Sequence, residues 1–125
     1  MSIERIGPPA PGAPPYSKVV RAGDFVFVSG QVPMGPDGFI VEGGIVPQTR
    51  QAIENIKAIL GPIGLSLKDV VKTTVWIDDT RDFAAFNRVY AEYFGEALPS
   101  RSCVESKIVV DCKVEIEVIA YAPKK

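Results

Sequence analysis

Between residues 69 and 78 the chain reads Asp-Val-Val-Lys-Thr-Thr-Val-Trp-Ile-Asp, β-branched over most of its length and alternating so that Val71, Thr73, Val75 and Ile77 share one face. A run of this kind predicts a strand with one face against a core. On either side the apolar period changes from two to about 3.6. From Val46 to about Ile63, residues Ala52, Ile53, Ile56, Ile59, Leu60 and Ile63 recur at three and four, with Pro47 suited to a first helical turn and Gly61-Pro62 or Gly64 closing the segment. After the strand, Thr80 or Asp79 caps a second helix with Asp82 in its first turn. Phe83, Phe86, Val89, Tyr90, Tyr93 and Phe94 form its aromatic stripe, and Gly95 stops it. That stripe reads as core packing. A strand set between two amphipathic helices restricts the chain to folds in which helices cover a sheet.

The remaining segments complete that sheet. Residues 1–15 end in Gly7-Pro8-Pro9-Ala10-Pro11-Gly12-Ala13-Pro14-Pro15 and read as an extended arm that neither continues a helix nor sits in a central strand. Tyr16 ends it as a possible aromatic anchor. Lys18 to Arg21 and Phe25 to Ser29 read as strands joined by a turn at Ala22-Gly23-Asp24, with Gly30-Gln31 breaking the second. Phe39 to Val41 reads as a brief edge strand. Leu98 to Glu105 and Val114 to Ala120 close the chain as two further strands. The order β-β-(β)-α-β-α-β-β is α+β, and 125 residues make one domain, 1–125, with a core of its own.

Two helices cover one sheet face. The other still carries part of Phe25 to Val28 and one side of the long strand, more contiguous apolar surface than a monomer usually exposes. A closed homo-oligomer accounts for it. The competing reading has Lys72, Thr74, Glu115 and Glu117 solvating that face.

The chemistry is narrowed by what is missing. The chain has no histidine, which removes the commonest general base and metal ligand and every Ser-His or Cys-His arrangement. Two cysteines, Cys103 and Cys112, do not make a secreted disulfide framework, although antiparallel neighbouring strands would bring them close. Carboxylates are dispersed, no Cys-x-x-Cys or phosphate-binding glycine loop is present, and no metal set is expected. A formal net charge of −1 without clustered Lys or Arg gives no nucleic-acid footprint. No apolar run approaches the ~18 residues of a membrane span, and Met1 to Arg5 lacks a signal-type apolar region, so a cytoplasmic location is the expectation.

What remains is a pair of charged strands. Alternation puts Arg101, Cys103 and Glu105 on one face of the first, and Glu115 and Glu117 on the polar face of the second, opposite Val114, Ile116 and Val118. If the strands are neighbours, an arginine and a glutamate there make a structural ion pair. Alternatively they build an anion-binding and proton-handling site, with Arg101 holding a carboxylate or phosphate through two parallel N–H bonds. Cys103 is either a small hydrophobe or a thiol activated by Arg101. Tyr90 packs, and Asn87 carries an amide that needs partners if buried.

Six segments taken together resemble the reactive intermediate deaminase (RidA, or YjgF/L-PSP) family: Pro15-Tyr16-Ser17, Val28-Ser29-Gly30-Gln31, Asp69 to Val75, Phe86-Asn87-x-x-Tyr90, Pro99-Ser100-Arg101-Ser102-Cys103-Val104-Glu105 and Val114-Glu115-Ile116-Glu117. They are collinear over nearly the whole chain. The resemblance implies a chorismate-mutase-like α+β fold, a sheet of about six strands with two helices on one face, assembled as a homotrimer with sites in the clefts between subunits. It implies cofactor-independent hydrolysis of 2-imino acids, 2-iminobutanoate and 2-iminopropanoate among them, to 2-oxo acids and ammonia. By the same resemblance Arg101 clamps the substrate carboxylate, Glu115 positions the attacking water or handles its proton, and Tyr16, Ser29, Asn87 and Cys103 line the cleft, Cys103 through its backbone.

One stretch departs from the family pattern. Lys107-Ile108-Val109-Val110-Asp111-Cys112 stands where many members have a Leu-Pro turn, and it is one residue shorter. Family branches also leave other readings: a pathway-specific deaminase such as an aminomuconate deaminase, a non-enzymatic carboxylate-binding or chaperone-like trimer, and a ribonuclease or translation inhibitor. Without histidine, metal ligands or a basic groove, the last has the least physical support.

Overall fold

The structure, a computed structural model, describes residues 2–124. Its six strands are β1 (Ile3–Ile6), β2 (Val19–Ala22), β3 (Phe25–Gln31), β4 (Val70–Ile77), β5 (Ser100–Glu105) and β6 (Val114–Tyr121). They form one mixed sheet in the order β1-β2-β3-β6-β4-β5, with helices α1 (Ile45–Leu60) and α2 (Phe83–Phe94) packed on one face. This is the α+β arrangement expected from the order of elements. Ile53, Ile56 and Leu60 of α1 and Phe86, Tyr90 and Phe94 of α2 share a buried core with Val26, Val28, Val75, Val114, Ile116 and Val118 of the sheet.

β4 and β5 run parallel, and the chain between them is α2, the helical crossover that parallel strands require. After β5 the chain doubles back past the end of β4 and enters β6 on β4's other side, where the pairing is antiparallel. β4 is therefore the middle of three strands. The charged strands β5 and β6 are not neighbours, and this corrects the sequence-based picture of a possible ion pair between them. It also removes the basis for pairing Cys103 with Cys112, and both are free thiols.

Local differences have local causes. The arm begins with a strand: Ile3–Ile6 pairs with β2 at the sheet edge, because the prolines start only at Pro8 and leave these four residues free to pair. β3 continues through Gly30-Gln31, absorbing them in a register shift between Val28 and Gln31. Phe39 to Val41 is no strand and contributes only a single bridge, Met34 to Ile40. In β4 a second register shift, between Val70 and Lys72, buries Val70 and turns Val71 outward. Thr73, Val75 and Ile77 face the core, whereas Val71 does not. α1 stops at Leu60, and Gly61–Ile63 adds one tighter turn that ends at Gly64, whose φ of 81° suits glycine. Asp79 caps the turn Thr80–Asp82 that leads into α2. Among the described residues no helix is long and apolar enough to cross a membrane.

Candidate active site

Arg101 lies on β5 opposite Thr73 of β4, and Thr73 is fully buried on the helix-covered face. The arginine therefore points under α2. There its Nη1 donates to Asn87 Oδ1 at 2.9 Å, and its guanidinium carbon sits 4.9 Å from the Tyr90 ring centre, 5.6 Å from Phe86 and 5.7 Å from Phe83. These four partners stand at helical positions 83, 86, 87 and 90, one continuous stripe. Tyr90 is in turn held by Thr73, hydroxyl to hydroxyl at 2.8 Å within the core. No acidic side chain among the described residues lies within ion-pairing distance of Arg101. A half-buried guanidinium packed on aromatic faces and lacking a counter-charge is chemically suited to hold an anion.

Cys103, two residues along and half-buried on the same face, packs against the core. Burial pushes its thiol pKa up, and the Arg101 charge offsets only part of that. Of the two readings of Cys103, a raised thiol packed on the core fits the small hydrophobe better than the arginine-activated nucleophile.

The other expected residues gather on the opposite face. Val114, Ile116 and Val118 are buried under the helices, so the intervening Glu115 and Glu117 project from the open side. A cavity of about 470 Å³ there is lined by Tyr16, Ser29, Glu115, Glu117, Val109 and Val110, with others. Ser29 sits at the irregularity of β3, its hydroxyl donating to the Ser17 carbonyl at 2.7 Å, which leaves its lone pairs to accept. Tyr16 is 57% exposed at the end of the arm, where it helps to line this cavity. Burial first, and the Glu117 charge second, raise the Glu115 carboxyl above the ordinary range. Such a carboxyl exchanges protons nearer to neutrality than a solvated one does.

The expected residues thus fall into two sets on opposite faces of one sheet: Arg101, Asn87 and Cys103 under α2, and Tyr16, Ser29 and Glu115 on the open side. Sequence reasoning passed over several contributors. Gly30 provides the space for Glu115, since a Cβ there would collide with the Glu115 carboxylate. Phe83 and Phe86 were read only as core, although their spacing from Asn87 already placed them on its stripe. Val109 and Val110 gave no signal beyond their departure from the family turn. Among the described residues no cluster of three His, Cys, Asp or Glu side chains is placed to hold a metal.

Comparison with known proteins gives the arrangement a context. The family model described as endoribonuclease L-PSP matches residues 8–122. A RutC family protein of Pyrococcus horikoshii is 55% identical over 109 residues, 86% of each chain. TdcF of Escherichia coli, named as a reactive intermediate deaminase, is 44% identical over 116 residues, 89% of this chain and 90% of that protein. The crystal structure of yeast Mmf1 superimposes with a TM-score of 0.88 at 38% identity, covering 97% of this chain and 99% of that one. The structure of E. coli TdcF with bound serine gives a TM-score of 0.81 at 42% identity, covering 95% and 96%. With the match spanning nearly the whole chain in both sequence and fold, this protein belongs to the RidA/YjgF/L-PSP family.

Proposed function

We propose that the chain is a cofactor-independent deaminase that hydrolyses reactive 2-imino acids, 2-iminobutanoate and 2-iminopropanoate among them, to 2-oxo acids and ammonia. The observation that carries this reading is the uncompensated Arg101 guanidinium held under α2, paired with a raised carboxyl at Glu115. The relative named as a reactive intermediate deaminase and its serine-bound structure support a small amino- or imino-acid ligand.

The two sets of residues lie on opposite sides of a sheet, and one small acid cannot reach both within a chain. A second copy seated with its edge strand β5 over this open face would bring its Arg101 and Asn87 toward Tyr16, Ser29 and Glu115. That open face presents Phe25, Phe27 and Tyr121, each between 42% and 45% exposed. Such a surface suits burial against a second copy. The resemblance to the family makes the closed assembly a trimer with three equivalent clefts, working in the reducing cytoplasm.

In the cleft Arg101 binds the carboxylate and fixes the imine carbon. Glu115, ionised, takes a proton from water as its oxygen bonds to that carbon and the C=N π electrons move to nitrogen. The same carboxyl returns the proton to the amine nitrogen; as the C–N bond breaks, the hydroxyl proton passes to Glu115, the O–H electrons form the C=O, and the 2-oxo acid and ammonia leave. An iminium carbon is already electrophilic, so orientation and one proton shuttle suffice. Ser29 accepts from the nitrogen, and Tyr16 closes the open side.

The test is to generate 2-iminobutanoate with a dehydratase and follow its decay. Wild type accelerates the decay and Arg101→Ala does not. Equal decay with both proteins would leave only a carboxylate-binding role. Ribonucleolysis, the activity in the family model's description, finds little support in a chain of net charge −1 without histidine.

A further inference from the structure

We infer that Val109 and Val110 form an apolar subsite for the substrate side chain, so that the chain prefers 2-imino acids with aliphatic side chains of about four carbons over 2-iminopropanoate. This rests on the imine-hydrolase reading and names its substrate class.

The loop between β5 and β6 crosses the end of β4 and is tied down at both ends. The Ser106 N–H donates to the Ile77 carbonyl at 2.8 Å, and the Asp78 N–H donates to the Lys113 carbonyl at 3.1 Å. Cys112 adds an anchor through its thiol to the Val114 carbonyl at 3.4 Å. Between these ties the tip carries two consecutive valines, where turn chemistry favours glycine, proline, asparagine or aspartate. Val109 is fully exposed and Val110 is 38% exposed, so neither contributes much to the core of the folded chain. Both line the cavity that holds Glu115.

That cavity is polarised. Ser29, Glu115 and Glu117 lie on its sheet side, while Val32, Val109 and Val110 supply an apolar wall. With Glu115 on the reacting carbon, the group left to meet the wall is the substituent on that carbon. A methyl group covers little of that apolar wall, whereas a branched aliphatic chain covers more of it and displaces more water from it. Two carboxylates in the same cavity also disfavour a side chain carrying a third.

An amino-acid oxidase with catalase supplies the test imines, one from alanine and one from leucine. Their loss is followed with wild type and with the double variant Val109→Ser, Val110→Ser, while sedimentation reports oligomeric state. Wild type is expected to favour the leucine-derived imine by about tenfold in kcat/KM, and the variant to lose about that factor on it while staying within about twofold on the alanine-derived imine. Equal losses on both imines, or no preference in wild type, would overturn the subsite. So would dissociation of the oligomer, which would make the loop an interface element. If wild type accelerates neither imine, the imine-hydrolase reading itself fails and the subsite with it. Because both positions lie on the surface, the variant is expected to melt with wild type, and a lowered Tm accompanying equal losses counts against the subsite.

Discussion

The Arg101 guanidinium carbon stands 4.9 Å from the centre of the Tyr90 ring, and the Tyr90 hydroxyl stands 2.8 Å from Thr73 Oγ1 on the neighbouring strand. A core hydrogen bond thus holds the ring on which the arginine rests. Tyr90→Phe keeps the ring but strands the Thr73 hydroxyl inside the core. It is expected to cost about 1–3 kcal/mol in denaturant unfolding with KM close to wild type. Tyr90→Leu removes the ring and is expected to raise KM for an imino acid more than it lowers kcat, since the arginine loses its seat. A Tyr90→Leu protein with unchanged KM would show that the ring does not position Arg101.

Arg101 itself is expected to be irreplaceable by lysine. A guanidinium offers two parallel donors to a carboxylate while a third bonds Asn87, and an ammonium cannot reproduce that fork. Arg101→Lys and Arg101→Ala should both lower kcat/KM by roughly 10²-fold or more, lysine rescuing little of what alanine loses. Steady-state kinetics on one imine separates this from a simple charge requirement, under which lysine would rescue.

Gly30 tests the open side. Its backbone is not in the left-handed region, so alanine is tolerated conformationally, and the only objection is the Glu115 carboxylate in the space of the new Cβ. The carboxylate is the end of a flexible side chain and can swing away. Gly30→Ala is therefore expected to fold and melt like wild type while losing about 10²-fold in kcat. Thermal melts alongside kinetics check both halves.

Glu115 carries a pH signature. Burial and Glu117 raise its pKa, so the native state holds this proton more tightly than the unfolded chain does. Ionisation then costs folding stability as pH rises from the unfolded carboxyl value through the native one. Glu115→Gln should be inactive yet melt above wild type at neutral pH, with the gain absent near pH 3, roughly a unit below the free carboxyl pKa. Glu117→Gln removes the smaller of the two causes. It should move the acid limb of the kcat/KM profile to lower pH, and a limb that stays in place would show that another group controls it.

The elements and their buried faces were legible in the residues. The 3.6-residue period of α1, the aromatic stripe of α2 and the alternation in β6 are local patterns, and each came out as written within a few residues. The family resemblance named the six candidate site residues. What local pattern misjudged were the bulges: one shift near Val71 reverses which side it faces, and one at Ser29-Gly30 lets β3 run on. A bulge is set by the pairing partner, which a single strand's sequence does not contain.

By itself the sequence determined that the chain is α+β, that Arg101 and Glu115 are candidate charged groups for chemistry, and that no mechanism can use histidine. Only the tertiary structure decided where those two charges stand. A parallel β4–β5 pair needs a helical crossover, and the return to β6 passes β4, so the order becomes β6-β4-β5 and the expected neighbours are separated. Side-chain alternation against a one-sided helical layer then sends Arg101 beneath α2 and Glu115 to the open face. Neither strand's own residues record which strand lies between them, because that depends on long-range pairing and on which face the helices bury.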